Sequence, residues 1–290
     1  CLQPQESGWV CAFCVLGHNW GCPLCFFCRK SHSNTDRRST NSGKCSSSCG
    51  KSTVAGQKQH KPFTVDLSEL GNEMNIVDSL NRSQRFITDS GLVNNILYGL
   101  DPLHCRTTPI IMECNPGPGV LTRALLDAGC NVVALESKAE FLPGLKKLEN
   151  VARGQLRVLH CNFFTLDPFF ENNAQAPTIY SYDLMEQLGI SEVPWDTGIP
   201  IKVFGILHQA KERHILWRYI YSLYERLELF RYGRIEFNFF MSEKLYKSLL
   251  AEPGDLRQYR ALPVLYQLAC DIQLLHTENI STFFFFTQKA

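Results

Sequence analysis

Apolar and polar positions follow a regular order most clearly from about residue 109 onward. IIMEC (110–114) is a short run apolar on both faces, as a buried parallel strand requires, and NPGPG (115–119) is a turn. VLTRALLDAG (120–129) carries Val120, Leu121, Ala124, Leu125 and Ala128 at helical steps, and Gly129 can supply the left-handed residue that ends the helix. NVVALE (131–136) is a second strand closing on an acid. Further on, residues 209–230 read as a long helix with Leu216, Tyr219, Ile220, Leu223 and Leu227 on its buried stripe. The apolar runs 235–241, 271–275 and 283–287 complete an expected seven-stranded, mostly parallel sheet, the last two as an antiparallel pair. Residues 167–198 read as one long loop beside the ligand end of the sheet: a partner-facing insertion, a cover over the pocket, or a mobile loop. The pattern is that of an α/β domain.

Composition narrows the class. Of 290 residues, 44% are apolar and 20% charged, which excludes a chain disordered throughout. The net charge of +1 conceals an asymmetry: residues 1–61 hold eight Lys/Arg against Glu6 and Asp36, and the rest hold 21 basic and 26 acidic groups. A body of net −5 cannot bind nucleic acid through bulk charge, so such binding needs a local patch or the basic segment. Cys105, Cys114, Cys130, Cys161 and Cys270 are widely spaced, which fits reduced, packed thiols in an intracellular protein.

Two domains are expected: 1–61, a low-complexity Cys, Ser and basic segment, and 62–290, the α/β body. In the first, the steps Cys11/Cys14 and Cys22/Cys25 offer zinc ligand types, but only seven residues separate the pairs, so no metal site is assigned. The 21 uncharged residues 8–28 are interrupted by His18, Asn19, Pro23 and glycines, so no membrane span is assigned either. Residues 29–61, with eight Ser, eight Lys/Arg and one acid, have the composition of a mitochondrial transit region or of a solvated linker.

The candidate chemistry lies in the strand-turn-helix-strand unit. Gly117 and Gly119 allow a ligand close to the backbone at a helix N-terminus, and Glu136 at the end of the next strand can reach a ribose diol. A dinucleotide site wants a third small residue where Thr122 stands, and Glu113 beside the turn repels pyrophosphate while suiting the cation of S-adenosylmethionine. The alternative is a tight turn in an ordinary α/β core.

Residues 113–122, ECNPGPGVLT, resemble the first cofactor motif of the ribosomal RNA adenine dimethyltransferases, E-x-G-P-G-x-G-x-L-T, with Asn115 replacing one glycine. QRFITD (84–89) resembles the family's entry motif, VALE (133–136) its ribose-binding strand, and VLHCNFF (158–164) the strand whose closing acid, here Asn162, meets the adenine. The likeness runs from about residue 82 to 290. It implies a class I S-adenosylmethionine-dependent methyltransferase fold, Rossmann-like, with Gln84, Glu113, Asn115, Gly117, Gly119, Glu136 and Asn162 as cofactor-binding residues. It further implies a truncated chain, since the family's small C-terminal helical domain has no counterpart here. ECNPGPG, VALES, VPW before IPIKV, and QLAC are most similar to a mitochondrial transcription-factor branch of the family. That branch implies the mitochondrial matrix, with mitochondrial RNA polymerase and promoter DNA as partners; ribosomal RNA is the partner if the chain is an active enzyme.

Active members carry N-L-P-Y after the fourth strand. Acceptor oxygens there take the hydrogens of the adenine amine, and the ring stacks the flipped base. Ile206, Leu207, His208 and Gln209 stand in that place, so turnover is expected to be weak or lost and no catalytic residue is assigned. His208 is read as the start of the following helix rather than as a general base, and Lys211, Arg213, Arg218 and Arg226 as that helix's solvated face.

Overall fold

The computed structural model describes residues 9–16, 64, 70–79, 85–100, 109–168, 177 and 179–283. In chain order the elements are β1 (Trp9–Leu16), α1 (Gly71–Ser79), α2 (Ser90–Leu100), β2 (Ile110–Cys114), α3 (Val120–Asp127), β3 (Asn131–Glu136), α4 (Leu142–Val151) and β4 (Leu156–His160). Then come α5 (Ser181–Leu188), β5 (Ile201–Ile206), α6 (Glu212–Glu225), β6 (Ile235–Ser242), α7 (Glu243–Leu249), α8 (Ala261–Ala269) and β7 (Cys270–Glu278).

The strands form one seven-stranded sheet in the order β4-β3-β2-β5-β6-β1-β7. From β4 to β6 every neighbour is parallel, whereas β1 is antiparallel to both β6 and β7. Side-chain alternation divides the core between the two faces. Met112, Val133, Leu135, Phe237 and Phe239 meet α5, α6, α7 and α8 on one face; Ile111, Val132, Ala134, Phe204 and Phe240 meet α2, α3 and α4 on the other. Burying each of these side chains larger than alanine contributes about 1.5–3 kcal/mol.

The α2 face also holds a buried ion pair. Lys202 Nζ lies 3.1 Å from Glu236 Oε1 and donates to the Leu100 carbonyl at 2.8 Å. Asn238 Nδ2 donates to the same carboxylate at 3.0 Å. The lysine thus anchors the carbonyl end of α2, where the helix dipole favours a cation. Burial raises the Glu236 carboxyl above its ordinary range, and Lys202 opposes that shift.

Several expectations change. The seventh strand is the early segment Trp9–Leu16, which pairs along all eight residues of β6, so the compositional boundary at residue 61 is not a boundary of the sheet. All of β6 is buried, and its outer edge needs partners for its N–H and C=O groups. Phe283 closes a 3-10 turn, Ile280–Phe283, and is buried against Phe240 at 5.0 Å; residues 284–287 of the expected last strand lie outside the described residues. The stretch 167–198 contains α5, because Leu184 and Met185 are completely buried and Gly189, at φ 67°, ends the helix. The long helix is shorter than expected: α6 begins at Glu212 and stops where Arg226 turns left-handed at φ 52°. Arg226 stacks over Trp195 at 4.7 Å and Arg218 donates to the Leu166 carbonyl at 3.2 Å, so these two are not merely solvated. Cys114, Cys130, Cys161 and Cys270 are buried and form no disulfide; Cys105 and the cysteines between 19 and 62 lie outside the described residues.

Candidate functional site

Parallel pairing of β2 with β3, from Ile110↔Asn131 to Cys114↔Leu135, brings both carboxyl ends to the same edge of the sheet. The Asn115 N–H continues the ladder to the Leu135 carbonyl at 2.8 Å. Asn115 then adopts φ 53°, a left-handed conformation that asparagine tolerates better than most residues, and its Oδ1 accepts the Ser137 N–H at 3.2 Å. The asparagine in the glycine position thereby ties the turn to the end of β3.

Gly117 and Gly119 follow at φ 60° and 76°. The Gly117 N–H donates to Glu136 Oε2 at 2.8 Å, and the Lys138 N–H donates to Oε1 at 2.7 Å. Glu136 is completely buried, which pushes its carboxyl up to about 7 against the lowering pull of those N–H groups. Glu113, one strand away, accepts the Thr122 hydroxyl at 2.6 Å. Burial pushes its carboxyl up to about 8; the Thr122 bond lowers it and the nearby Glu136 raises it. Thr122, at the position where a dinucleotide turn wants a small residue, is therefore the partner that satisfies Glu113.

Asn162 follows β4, next to Cys161, whose N–H donates to the Glu136 carbonyl at 3.0 Å. Its amide oxygen, expected to be available to a ligand, accepts the Phe164 N–H at 3.1 Å and caps the 3-10 turn Phe163–Thr165. The structure thus joins Glu113, Asn115, Gly117, Gly119 and Glu136 into one hydrogen-bonded turn, with Asn162 engaged in its own cap. Gln84 lies outside the described residues.

The residue that the motif reading passed over is Phe86. Its ring covers Gly117, occupying the space a β-carbon there would need, and meets the Phe141 ring edge-on at 5.1 Å. A Q-x-F motif gives the aromatic residue but not its placement. Burial lowers the pKa of the neighbouring Arg85 guanidinium, and the charge of Glu212 opposes that shift. Glu212 is itself buried, accepting the Ser242 N–H at 3.0 Å and the Ser242 hydroxyl.

The segment after β5 has no acceptor side chain directed inward. Ile206 is half-buried, and Leu207 is fully buried with its N–H on the Phe240 carbonyl at 2.9 Å. His208 and Gln209 are exposed, and His208 Nδ1 accepts the Ala210 N–H at 3.3 Å. His208 belongs to the turn before α6 rather than to the helix, because Lys211 is the helix cap. Among the described residues no group of three or more His, Cys, Asp or Glu side chains could hold a metal. No helix among them is long and apolar enough to cross a membrane.

A family model described as ribosomal RNA adenine dimethylase matches residues 79–284. The Rattus norvegicus protein named dimethyladenosine transferase 2, mitochondrial, is 46% identical over 192 residues, 66% of this chain and 47% of that protein. The Homo sapiens protein of the same name is 42% identical over 207 residues, 71% of this chain and 52% of that protein. A solved dimethyladenosine transferase from Plasmodium falciparum is 16% identical with a TM-score of 0.38, covering 63% of this chain and 52% of that one. The chain spans about half the length of the curated relatives it matches.

Proposed function

From the premise that this chain belongs to the ribosomal RNA adenine dimethylase family, we propose that it acts as a mitochondrial transcription initiation factor rather than by turnover on RNA. Its fold is the family's class I methyltransferase fold, and its relatives are mitochondrial proteins, which puts the chain in mitochondria. In the proposed role it assists mitochondrial RNA polymerase at promoter DNA in the matrix.

The observation that carries the reading is the segment after β5. Methylation of an adenine amine requires acceptors for its hydrogens and a ring to stack the extruded base. Ile206 and Leu207 provide neither, and His208 and Gln209 lie in an exposed turn. Losing these contacts slows the reaction by several powers of ten if each is worth about 1–3 kcal/mol.

The donor set nevertheless fits the family's cofactor. Both oxygens of Glu136 already accept N–H groups of the turn, and each retains a lone pair for a sugar hydroxyl. Glu113 would face the cationic end, Gly117 and Gly119 would admit the nucleoside, and Asn115 would hold the turn open in its left-handed form. S-adenosylmethionine, when bound, supplies a methyl group on a positively charged sulfur. Phe86 covers Gly117, so its ring must shift before a nucleoside can approach that glycine, and the proposed binding is weak.

The test uses the chain with labelled S-adenosylmethionine and a small-subunit ribosomal RNA hairpin, and separately with mitochondrial RNA polymerase on promoter DNA. Factor-dependent transcripts, unchanged by Glu136→Gln and without methyl incorporation, are expected. Methyl incorporation that Glu136→Gln abolishes would overturn this reading in favour of active rRNA dimethylation, the alternative favoured by the retained 2.8 Å bond between Gly117 and Glu136.

A further inference from the structure

On the opposite face of the sheet from the glycine turn, α5, α6 and the 3-10 turn Glu228–Tyr232 enclose a groove of about 1160 Å³. Its walls are aromatic. Tyr180, Tyr182 and Tyr221 are 54%, 58% and 61% exposed, although aromatic rings are costly to leave in water. Trp217 and Tyr221, one helical turn apart on α6, stack at 5.6 Å and 24°.

The floor is polar and acidic. Asp167 Oδ1 accepts both the Ser181 N–H, at 2.8 Å, and its hydroxyl, at 3.1 Å, while Oδ2 is buried with no hydrogen-bond partner. Asp183, Glu225 and Glu228 add three carboxylates against the cations Arg218 and Arg231. Arg231 pairs outside the groove with Glu192 at 2.8 Å, and Arg218 donates to the Leu166 carbonyl while its charge opposes the upward push of burial on the Glu228 carboxyl, so four carboxylates face two cations that are already engaged. The backbone here is also held in a conformation that L residues rarely adopt. Asp167, Arg226 and Glu228, at φ 53°, 52° and 54°, are three of the five described left-handed non-glycine residues, and such positions cluster at sites of function.

These features select the occupant. The carboxylate excess repels phosphate, which excludes a nucleic-acid backbone, and the unpartnered Asp167 oxygen requires a donor that a purely apolar segment lacks. A guanidinium satisfies both demands, because it stacks flat on indole and phenol rings and donates to a carboxylate from a rigid fork. The chain uses the same stacking elsewhere, with Arg226 over Trp195 at 4.7 Å.

We propose that the groove between α5 and α6 is a docking site for a partner-protein segment that inserts an arginine between the aromatic walls, its guanidinium meeting Asp167. This holds whether the chain works at promoters or on RNA.

The probe is a fluorescein-labelled peptide, acetyl-LRLSLRL-amide, titrated into the full chain by anisotropy, with a lysine-for-arginine copy and a serine-for-arginine copy as competitors. Saturable binding is expected, weakened about tenfold by Asp167→Asn and about fivefold by the lysine copy. Asp167 also orders the start of α5, so Tyr182→Ser with Tyr221→Ser, both on the exposed wall, serves as the second variant and is expected to weaken binding by a similar factor. Circular dichroism confirms that each variant is folded. Equal affinity for the lysine copy, displacement by the serine copy or by single-stranded DNA, or binding unchanged in the folded tyrosine variant would each overturn the proposal.

Discussion

Gly117→Ala tests the placement of Phe86 over the glycine turn. A β-carbon built at Gly117 lies 2.7 Å from Phe86 Cε1 and 3.1 Å from its Cγ, with Cδ1 nearer still. Two costs follow. The residue sits at φ 60°, where an alanine pays about 1–2 kcal/mol in backbone strain. The ring must also shift away from its edge contact with Phe141, a further ~1–3 kcal/mol of overpacking. Together these predict a loss of about 2–5 kcal/mol, or roughly 5–15 °C in Tm for a domain of this size. Urea unfolding of Gly117→Ala, Phe86→Ala and the double variant separates the two terms. With the ring removed, Gly117→Ala should cost only the backbone share of about 1–2 kcal/mol, leaving a coupling of about 1–3 kcal/mol between the sites. An equal cost in both backgrounds, or a single-variant loss under about 1 kcal/mol, would refute the covering of the turn by Phe86.

Three other expectations follow from the buried groups. Glu113 and Glu136, held near 8 and 7 rather than the ordinary 4.5, keep protons in the folded chain that the unfolded chain releases. Their contribution to stability is therefore complete below pH 4.5 and is lost as pH rises through about 8, so urea midpoints should fall across that window and Glu113→Gln should flatten the upper part; an unchanged slope counts against the burial argument. Lys202→Met leaves Glu236 buried without its cation and should cost about 3–5 kcal/mol in urea unfolding, most of it restored in Lys202→Met with Glu236→Leu. Trp195→Phe removes the indole N–H bond to the Phe230 carbonyl (3.0 Å) and much of the stack with Arg226. It should lower stability by about 1–2 kcal/mol without altering any activity assigned to the glycine turn.

The strand-turn-helix-strand unit was legible because its signals are local. Residues 110–136 contain the apolar runs, the turn glycines and the closing acid in one stretch, and the observed β2, α3 and β3 follow them within a residue or two. Asn115 was legible as a departure from a glycine, but not as the residue whose side chain spans to Ser137. The length of α6 was misjudged because Leu227 continues the apolar spacing, whereas the backbone turns left-handed at Arg226 and starts a separate 3-10 turn. Within 167–198, prolines and paired asparagines masked the short apolar face that Leu184 and Met185 bury as α5.

The sequence by itself determined the parallel α/β core, the glycine turn with Glu136 closing the next strand, and the replacement of N-L-P-Y by Ile206–Gln209, since each depends on residues close along the chain or on neighbouring parallel strands. Only the tertiary structure decided that Trp9–Leu16 lies between β6 and β7, that Phe86 covers Gly117, that Lys202 is buried against Glu236, and that tyrosines from α5 and α6 line one acidic groove. Apolar runs of similar composition compete for the same sheet edge, and a charged residue reads as exposed until its partner appears more than thirty positions away. Those choices are made by packing among distant segments, for which periodicity along the chain carries no signal.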